Sequence, residues 1–321
     1  MNEEMEREKK HRKSDILWKV IMEEVFDDLL RFIFPDADQV YNMERGFGFL
    51  EKELAELYPE PIKDPDTRFA DKLVRVYTRE GEEEWVLCHI EVQGETKSKD
   101  RPLFAERMFR YFYRIWDRYQ KPVSAVAIFT GPDAAMMPDR YEYKYRNTRL
   151  LYAYPTRSIL DYSDAELEEN DNPFAQVLLS AKISLLEGRI PEPELLERKI
   201  LIAGKLLRKG FNQRKIKAIF VFLENYVLFD DQEMNRIFKE RVQSHDKNNI
   251  MGIDEYVKMV AKEEGMEEGR EQGRVEGEER KSRFFVENLL SNTDFSVEKI
   301  SSLAGVAVEF VMEIKSGLNG K

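Results

Sequence analysis

The chain has 321 residues, 42% of them hydrophobic and 12% aromatic, so it can bury a sizeable core and is not a disordered protein. Its formal net charge is −11, and no apolar run approaches the roughly 18–20 residues that span a bilayer. The N-terminus lacks the apolar segment of a signal peptide. The single cysteine, Cys88, excludes an intramolecular disulfide and a multi-cysteine metal site. A cytoplasmic protein without a membrane partner is expected.

Charge is unevenly distributed along this acidic chain. Residues 97–157 contain thirteen Lys or Arg against six Asp or Glu, whereas residues 262–280 contain eight Glu against four basic residues. A basic patch on a globally acidic protein is compatible with phosphate binding at one face.

The periodicity of the first half predicts an α/β or α+β fold. Apolar residues at helical spacing predict helices, and period-two alternation or short apolar runs predict strands. The predicted helices are Ser14–Phe34, Glu44–Leu57 and Leu103–Tyr119. The predicted strands are Arg68–Thr78, Glu84–Gln93, Val123–Thr130 and Arg149–Tyr154, the first two forming a hairpin around residues 79–82.

After about Asp161 the sequence predicts helices alone. They are Phe174–Leu186, Glu194–Lys209, Arg214–Leu228 and Glu233–Val242, with Gly210 expected to close the second. The expected organisation is a mixed region over 14–165, a helical region over 166–260, a Glu/Gly-rich charged helical linker over 261–281 and a C-terminal helical hairpin over 282–321.

Glycine recurs every four residues in the linker, at Gly265, Gly269, Gly273 and Gly277. In a helix this spacing places all four near one face, although each glycine costs about 1 kcal/mol relative to alanine. A charged helical linker is favoured over a dimerisation stripe, and a homo-oligomer through the C-terminal helices stays open. The hairpin around Gly305 has the outline of a helix-turn-helix but no basic footprint, so a packing role is favoured.

The predicted strand pair contains the candidate chemistry. Alternation places Asp71 on one face of its strand, and His89, Glu91 and Gln93 on one face of the next. If the turn centres near Gly81, Asp71 and Glu91 lie directly opposite each other, roughly 4.5–5.5 Å apart at Cβ. Such carboxylates repel unless a cation lies between them.

Magnesium is the expected cation, with manganese as the alternative, because Mg²⁺ takes one or two carboxylates and completes its shell with water and phosphate. The amide of Gln93 could hold the attacking water or a phosphate oxygen, but it cannot act as a general base. Glu53 is a candidate third ligand, although a solvated helix face is its favoured role. His89 is favoured as a core or supporting residue. On geometry alone, an acidic pair that faces solvent is favoured over a metal site.

Several short segments, taken together and in order, resemble the Rpn family, the recombination-promoting nucleases and transposase-like proteins of the PD-(D/E)XK nuclease superfamily. They are Phe49-Leu-Glu-Lys-Glu-Leu54, Ala70-Asp-Lys-Leu-Val-Arg-Val76, His89-Ile-Glu-Val-Gln93, Glu106-Arg-Met-Phe-Arg-Tyr111 and Arg140-Tyr-Glu-Tyr143. The resemblance covers roughly residues 14–165, and the Glu/Gly repeat resembles the family's tails more loosely.

The resemblance implies a restriction-endonuclease-like core in which a mixed sheet is flanked by helices. It also implies DNA as substrate, Asp71 and Glu91 as metal ligands, and Gln93 at the third motif position. The superfamily usually has Lys at that position, and Ala70 stands where Pro is usual before the Asp. The helix after the third motif would face the site, which makes Arg107, Arg110 and Arg114 candidate phosphate contacts. Its face with Phe109, Phe112, Ile115 and Trp116 is expected to be core.

The leading hypothesis is therefore a magnesium-dependent DNA endonuclease of low sequence specificity that promotes recombination or transposition. The alternative is a nuclease-fold protein of weak or no activity that binds DNA or assembles into an oligomer. A conventional transposase with three widely spaced acidic residues is a weaker hypothesis, because no third carboxylate stands out.

Overall fold

The computed structural model of the protein describes residues 14–50, 54, 69–91, 101–245, 269, 273, 277 and 280–319, with the backbone alone at 69–71, 89–91, 101, 243–245 and 317–319. The chain forms two compact units, Met1–Val260 and Ala261–Lys321. The first unit contains a mixed sheet and helices, and the described chain after the sheet is helical. The predicted mixed α/β class with a helical C-terminal part is confirmed at this level.

The main sheet has five strands in the order β1-β2-β3-β4-β7, and a separate two-stranded sheet is formed by β5 and β6. β1, β2 and β3 pair antiparallel, whereas β3, β4 and β7 run parallel. The strands are β1 (Gly48–Phe49), β2 (Phe69–Tyr77), β3 (Glu83–Glu91), β4 (Val123–Phe129), β5 (Arg140–Tyr145), β6 (Thr148–Ala153) and β7 (Thr156–Ser158).

Helices precede, cross over and follow the sheet. In the first unit they are α1 (14–24), α2 (Phe26–Ile33), α3 (Ala37–Val40), α4 (Arg101–Tyr119), α5 (Asp164–Glu169), α6 (Pro173–Ser184), α7 (Glu192–Arg208), α8 (Gln213–Tyr226) and α9 (Gln232–His245). Three single-turn 3₁₀ helices lie at Met43–Arg45, Ala134–Met136 and Ile159–Asp161. Helix α4 is the crossover that a parallel β3–β4 pair requires.

The central strand of the sheet is β3, whose residues 85–88 are all buried. Alternate side chains of the sheet enter two different cores. The even-numbered residues of β2, β3 and β4, such as Val74, Val86 and Val126, pack against the helices α1, α2 and α6–α9. The odd-numbered residues, such as Leu73 and Leu87, pack against α4. The two faces of the sheet are therefore covered by different layers.

The helical region after the sheet shares one core with the N-terminal helices rather than forming a core of its own. Charged groups reinforce this packing between the first two helices and α8. Arg214 Nε and Nη2 donate to Glu24 at 2.5 and 2.7 Å, and Lys215 Nζ lies 2.8 Å from Asp27 and 2.5 Å from Asp28. Burial raises the pKa of Asp28 above its ordinary value.

The predicted helix Glu44–Leu57 is wrong over its first part. Residues 43–45 form a single 3₁₀ turn, and Gly48–Phe49 form strand β1. Gly46 has φ +77°, a conformation that favours glycine and ends the turn. Gly48 lies against Arg75 of β2, where an added Cβ would come within 2.9 Å of the guanidinium. Leu54 is helical, while residues 51–53 and 55–57 lie outside the described chain.

The second unit contains α10 (280–292), α11 (Val297–Ala304) and α12 (Val308–Asn319), packed on a small core of Val286, Ile300, Val311 and Ile314. The predicted pair of helices around Gly305 is confirmed, and this glycine has φ +66° at the end of α11. The backbone is helical at Gly269, Gly273 and Gly277, and Gly265 lies outside the described residues. Self-association through this segment stays a prediction.

Within the described ranges, no helix combines the length and apolar character that crossing a membrane demands.

Candidate functional site

The register of the β2–β3 hairpin differs from the prediction. Asp71 is paired with His89, and Glu91 is paired with Phe69. The expectation that Asp71 and Glu91 lie directly opposite each other is therefore wrong. The two carboxyl-bearing positions are diagonal neighbours on adjacent strands, which are typically roughly 7–8 Å apart and still within reach of long side chains.

The turn explains this shift of register. Thr78 N donates to Glu82 O at 2.9 Å, and Gly81 N donates to Thr78 O at 3.0 Å, so the loop between the paired residues 78 and 82 has three residues. Gly81 is the last of them and has φ +92°. This is the three-residue loop in which a tight turn ends on a left-handed glycine. The hairpin centre is Glu80 instead of Gly81, which displaces the partner of each β2 residue by two positions.

A register shift of two residues leaves every side chain on the same face of the sheet, because side chains alternate with period two. Positions 71 and 91 therefore share the odd-numbered face of the hairpin, the face on which Leu73 and Leu87 pack against α4. The register places Glu91 beside Phe129, the last residue of β4. Both positions, 71 and 91, lie toward the same end of the strand pair, where β3 leaves the sheet.

The first turns of α4 lie near this end of the sheet. Phe104 packs edge-on against Phe129, with ring centroids 5.2 Å apart. The guanidinium of Arg107 lies 5.3 Å from the centroid of Phe104. Arg107 contacts Phe104, Phe104 contacts Phe129, and Phe129 is the register partner of Glu91. This series of contacts links Arg107 to the end of β3.

The three candidate phosphate-binding arginines do not form one surface. Arg107 is buried, with 8% of its surface exposed, whereas Arg110 and Arg114 lie on the solvent face of α4. Arg110 Nη2 donates to Glu106 Oε1 at 2.5 Å, an exposed pair in which a phosphate would compete with the carboxylate. The prediction that Trp116 belongs to the core is wrong, since 47% of this side chain is exposed. Its neighbour Ile115 is buried as expected.

Two predicted site residues, Gln93 and Glu53, lie outside the described residues. Among the side chains that the structure describes, no group of three or more His, Cys, Asp or Glu has the arrangement of a metal site. At Asp71, His89 and Glu91 the backbone alone is described. The assignment of a metal to these positions stays a prediction.

The strand β5 was missed from the sequence, although residues 140–145 read Arg-Tyr-Glu-Tyr-Lys-Tyr, a period-two signal. It forms a hairpin with the predicted strand β6. Tyr141 stacks on Phe109 of α4 with an interplanar angle of 11° and centroids 5.1 Å apart. Tyr152 of β6 contacts Phe109 and Phe112 at 5.9 and 4.8 Å. The helix face expected to be core is thus half-covered by this hairpin.

Comparison of the chain with protein-family models, with curated proteins and with solved structures gives no significant match.

Proposed function

We propose that the protein is a magnesium-dependent DNA endonuclease whose metal ligands are Asp71 and Glu91, acting with low sequence specificity and promoting recombination or transposition. The observation that carries the proposal is the β2–β3 register, in which these two positions are diagonal neighbours on one face at the end of the sheet. Further support comes from the order of elements, in which three antiparallel strands are followed by α4 and a parallel strand. Of the segments that resemble the Rpn family, Ala70–Val76 falls on β2, Glu106–Tyr111 on α4 and Arg140–Tyr143 on β5.

The donor set fits magnesium, because both residues offer the hard carboxylate oxygens that this ion prefers. Two negative charges at neighbouring positions of a sheet destabilise each other, and a divalent cation removes that cost. When bound, the ion would supply Lewis-acid activation of a phosphodiester and of water. Gln93, as a neutral amide, would orient a water molecule or a phosphate oxygen and could not accept a proton.

Arg107 has a different role from the exposed arginines in this proposal. A guanidinium held against Phe104 is fixed in orientation, so it would position a phosphate near Glu91 at little entropic cost. Arg110 and Arg114, on the solvent face, would attract the DNA backbone at longer range. Because phosphate contacts carry no base information, a site built this way would cut with little sequence preference.

Plasmid nicking tests the proposal. The isosteric variants Asp71→Asn and Glu91→Gln should each reduce magnesium-dependent nicking to the level of a protein-free control, since each loses a ligand charge without losing volume. Glu80→Ala removes an exposed carboxylate from the turn of the same hairpin and should nick like the parent protein. EDTA should abolish all activity, and manganese should restore it.

Thermal unfolding of each variant should show a melting temperature close to that of the parent, so that lost activity is not lost folding. Undiminished nicking by either isosteric variant would contradict the assignment of the site. DNA binding without nicking by the parent, in both magnesium and manganese, would favour the alternative of a nuclease fold that binds DNA and has lost turnover.

A further inference from the structure

The β5–β6 hairpin extends an aromatic surface from α4. Tyr113, Phe109 and Tyr141 form a continuous stack, with interplanar angles of 26° and 11°. Alternation places Tyr143 and Tyr145 on the same face of the hairpin as Tyr141. We call these five residues the tyrosine platform. It begins on the helix and continues along β5.

The platform is half-buried in its middle, at Phe109 and Tyr141, and exposed at both ends. Tyr113 is 47% exposed, Tyr143 46% and Tyr145 60%. Three large aromatic rings on one continuous surface form an apolar patch that a monomeric protein rarely presents without a use.

The charge of the hairpin selects the kind of partner. From Arg140 to Ala153 there are four basic residues and one acidic residue. Lys144, Arg146 and Arg149 make no ion pair with any residue in the part of the chain that the structure describes, and the guanidinium of Arg146 lies 5.6 Å from the ring centroid of Tyr145. Alternation places Lys144 and Arg149 on the face opposite Tyr143 and Tyr145, so Arg146 is the cation shown beside an exposed ring. A cation next to exposed rings is complementary to a polyanion that also offers flat, stacking groups.

We infer that the tyrosine platform binds single-stranded DNA, with bases stacked on Tyr143 and Tyr145, a phosphate held by Arg146 beside Tyr145, and long-range attraction from Lys144 and Arg149. Aromatic rings that receive successive bases beside a basic track are how proteins bind single strands without reading sequence. A duplex keeps its bases stacked on one another and cannot offer them to the rings. The inference deepens the proposed function, since it specifies how the same protein would hold its DNA substrate.

The platform lies on the side of the sheet that carries the candidate carboxylates. Tyr154, directly after β6, contacts Phe104 of α4 with centroids 6.3 Å apart, and Phe104 contacts Phe129 at 5.2 Å. Phe129 is the register partner of Glu91. A short series of ring contacts therefore connects the base of the hairpin with the end of β3, whereas Tyr143 and Tyr145 lie toward the turn at its other end. A strand that runs from the tip to the base of the hairpin would lead toward the proposed site.

Fluorescence anisotropy with a labelled oligothymidylate, in EDTA so that no cleavage occurs, tests the inference on the full-length protein. Tyr143→Ala and Tyr145→Ala should each weaken binding roughly tenfold, the effect of losing one stacked base. Tyr143→Phe and Tyr145→Phe should bind like the parent, because the ring is kept. Leu151→Ala is the matched control, since Leu151 is 65% exposed on the opposite face of the same hairpin and should not matter.

The other arms of the experiment identify the partner. Unchanged oligothymidylate binding by both alanine variants would overturn the inference, and so would an equal loss of affinity for a duplex of the same length. Tighter, tyrosine-dependent binding of oligouridylate would assign the platform to RNA instead. A change of molar mass in light scattering, without a change in DNA binding, would make it a contact between protein copies.

Failure here is distinguishable from failure of the proposed function. If the alanine variants bind DNA normally while Glu91→Gln abolishes nicking, the nuclease proposal stands and the platform does not. If the parent never nicks DNA but binds oligothymidylate through Tyr143 and Tyr145, the platform stands and the nuclease proposal does not.

Discussion

The first unit contains two antiparallel hairpins that use the same local structure in opposite ways. The β2–β3 hairpin is central in its sheet, and residues on both faces of β3 are buried. The β5–β6 hairpin lies in a sheet of two strands, and most of its side chains are exposed. The first hairpin is held by packing on both sides, so it can fix two charged positions relative to each other. The second is anchored at its base by Tyr141 and Tyr152, which leaves its outer part free for a partner.

Truncating a leucine in each hairpin should give the largest difference between them. Leu87 of β3 is fully buried, whereas Leu151 of β6 is 65% exposed. Leu87→Ala should lower the free energy of unfolding by about 2–5 kcal/mol, because it removes buried apolar surface and leaves a cavity. Leu151→Ala should change it by less than about 0.5 kcal/mol.

Urea denaturation of both variants measures this difference. Equal destabilisation by the two substitutions would break the contrast between a packed hairpin and an exposed one.

Buried and exposed cations give a second contrast. Lys199 of α7 is fully buried, and its Nζ donates to the carbonyl oxygens of Glu224 and Val227 at 2.9 and 2.6 Å. Burial lowers the pKa of Lys199 from 10.5 to about 7. A neutral amine still has the two N–H groups that these acceptors need. The cations of the β5–β6 hairpin, such as Lys144, are exposed to solvent instead.

The free energy of unfolding should therefore depend on pH through Lys199. Between pH about 7 and 10.5 the unfolded chain holds a proton on this residue that the folded protein lacks, so stability rises with pH by about 1 kcal/mol per unit in that range. Below pH about 7 the contribution is constant. Lys199→Met should flatten this slope in urea titrations, whereas Lys144→Met, in the exposed hairpin, should leave it unchanged.

The turn of the β2–β3 hairpin gives the smallest expected effect. Gly81 has φ +92°, where a side chain is strained although there is space for a Cβ. Gly81→Ala should therefore destabilise the protein by about 1 kcal/mol. Gly210→Ala, at a position without positive φ and with equally open space, is the control and should be close to neutral. Thermal unfolding distinguishes them, and indistinguishable melting temperatures would contradict a strained turn at Gly81.

Hydrophobic periodicity predicted the helices and strands well where the same face of an element packs on a core along its whole length. The hairpin of β2 and β3, the helix α4, the strand β4 and the helices after Asp161 are confirmed with small differences at their ends. Gly210 is not the closing residue of α7, which ends at Arg208 with Lys209 extended. The errors lie where the decisive contact is distant in sequence, as at Gly48, which meets Arg75.

The candidate site was predictable in its face but not in its register. Alternation places Asp71 and Glu91 on one side of the hairpin whether the loop centres on Glu80 or on Gly81. Their pairing depends on whether Gly81 is the centre or the last residue of the loop, which the letters Arg-Glu-Gly-Glu do not specify. The burial of Arg107 could not be predicted from the sequence either. The spacing of the arginines shows which of them are neighbours on α4, but not which part of the helix lies against the sheet.

The number of residues in the loop at 79–81, odd or even, decides whether Asp71 and Glu91 share a face of the sheet. If the same sequence closed a loop of two or four residues here instead of three, β2 would pair with β3 one step out of its present register, and a single step exchanges the faces of every side chain on the shifted strand. Asp71 would then take a position on the side of the sheet that packs on α1 and α2, across the sheet from Glu91. A change of two residues would keep both on one side and only move them along the strand. Loops of odd length in this place are thus compatible with a shared carboxylate face, and loops of even length are not.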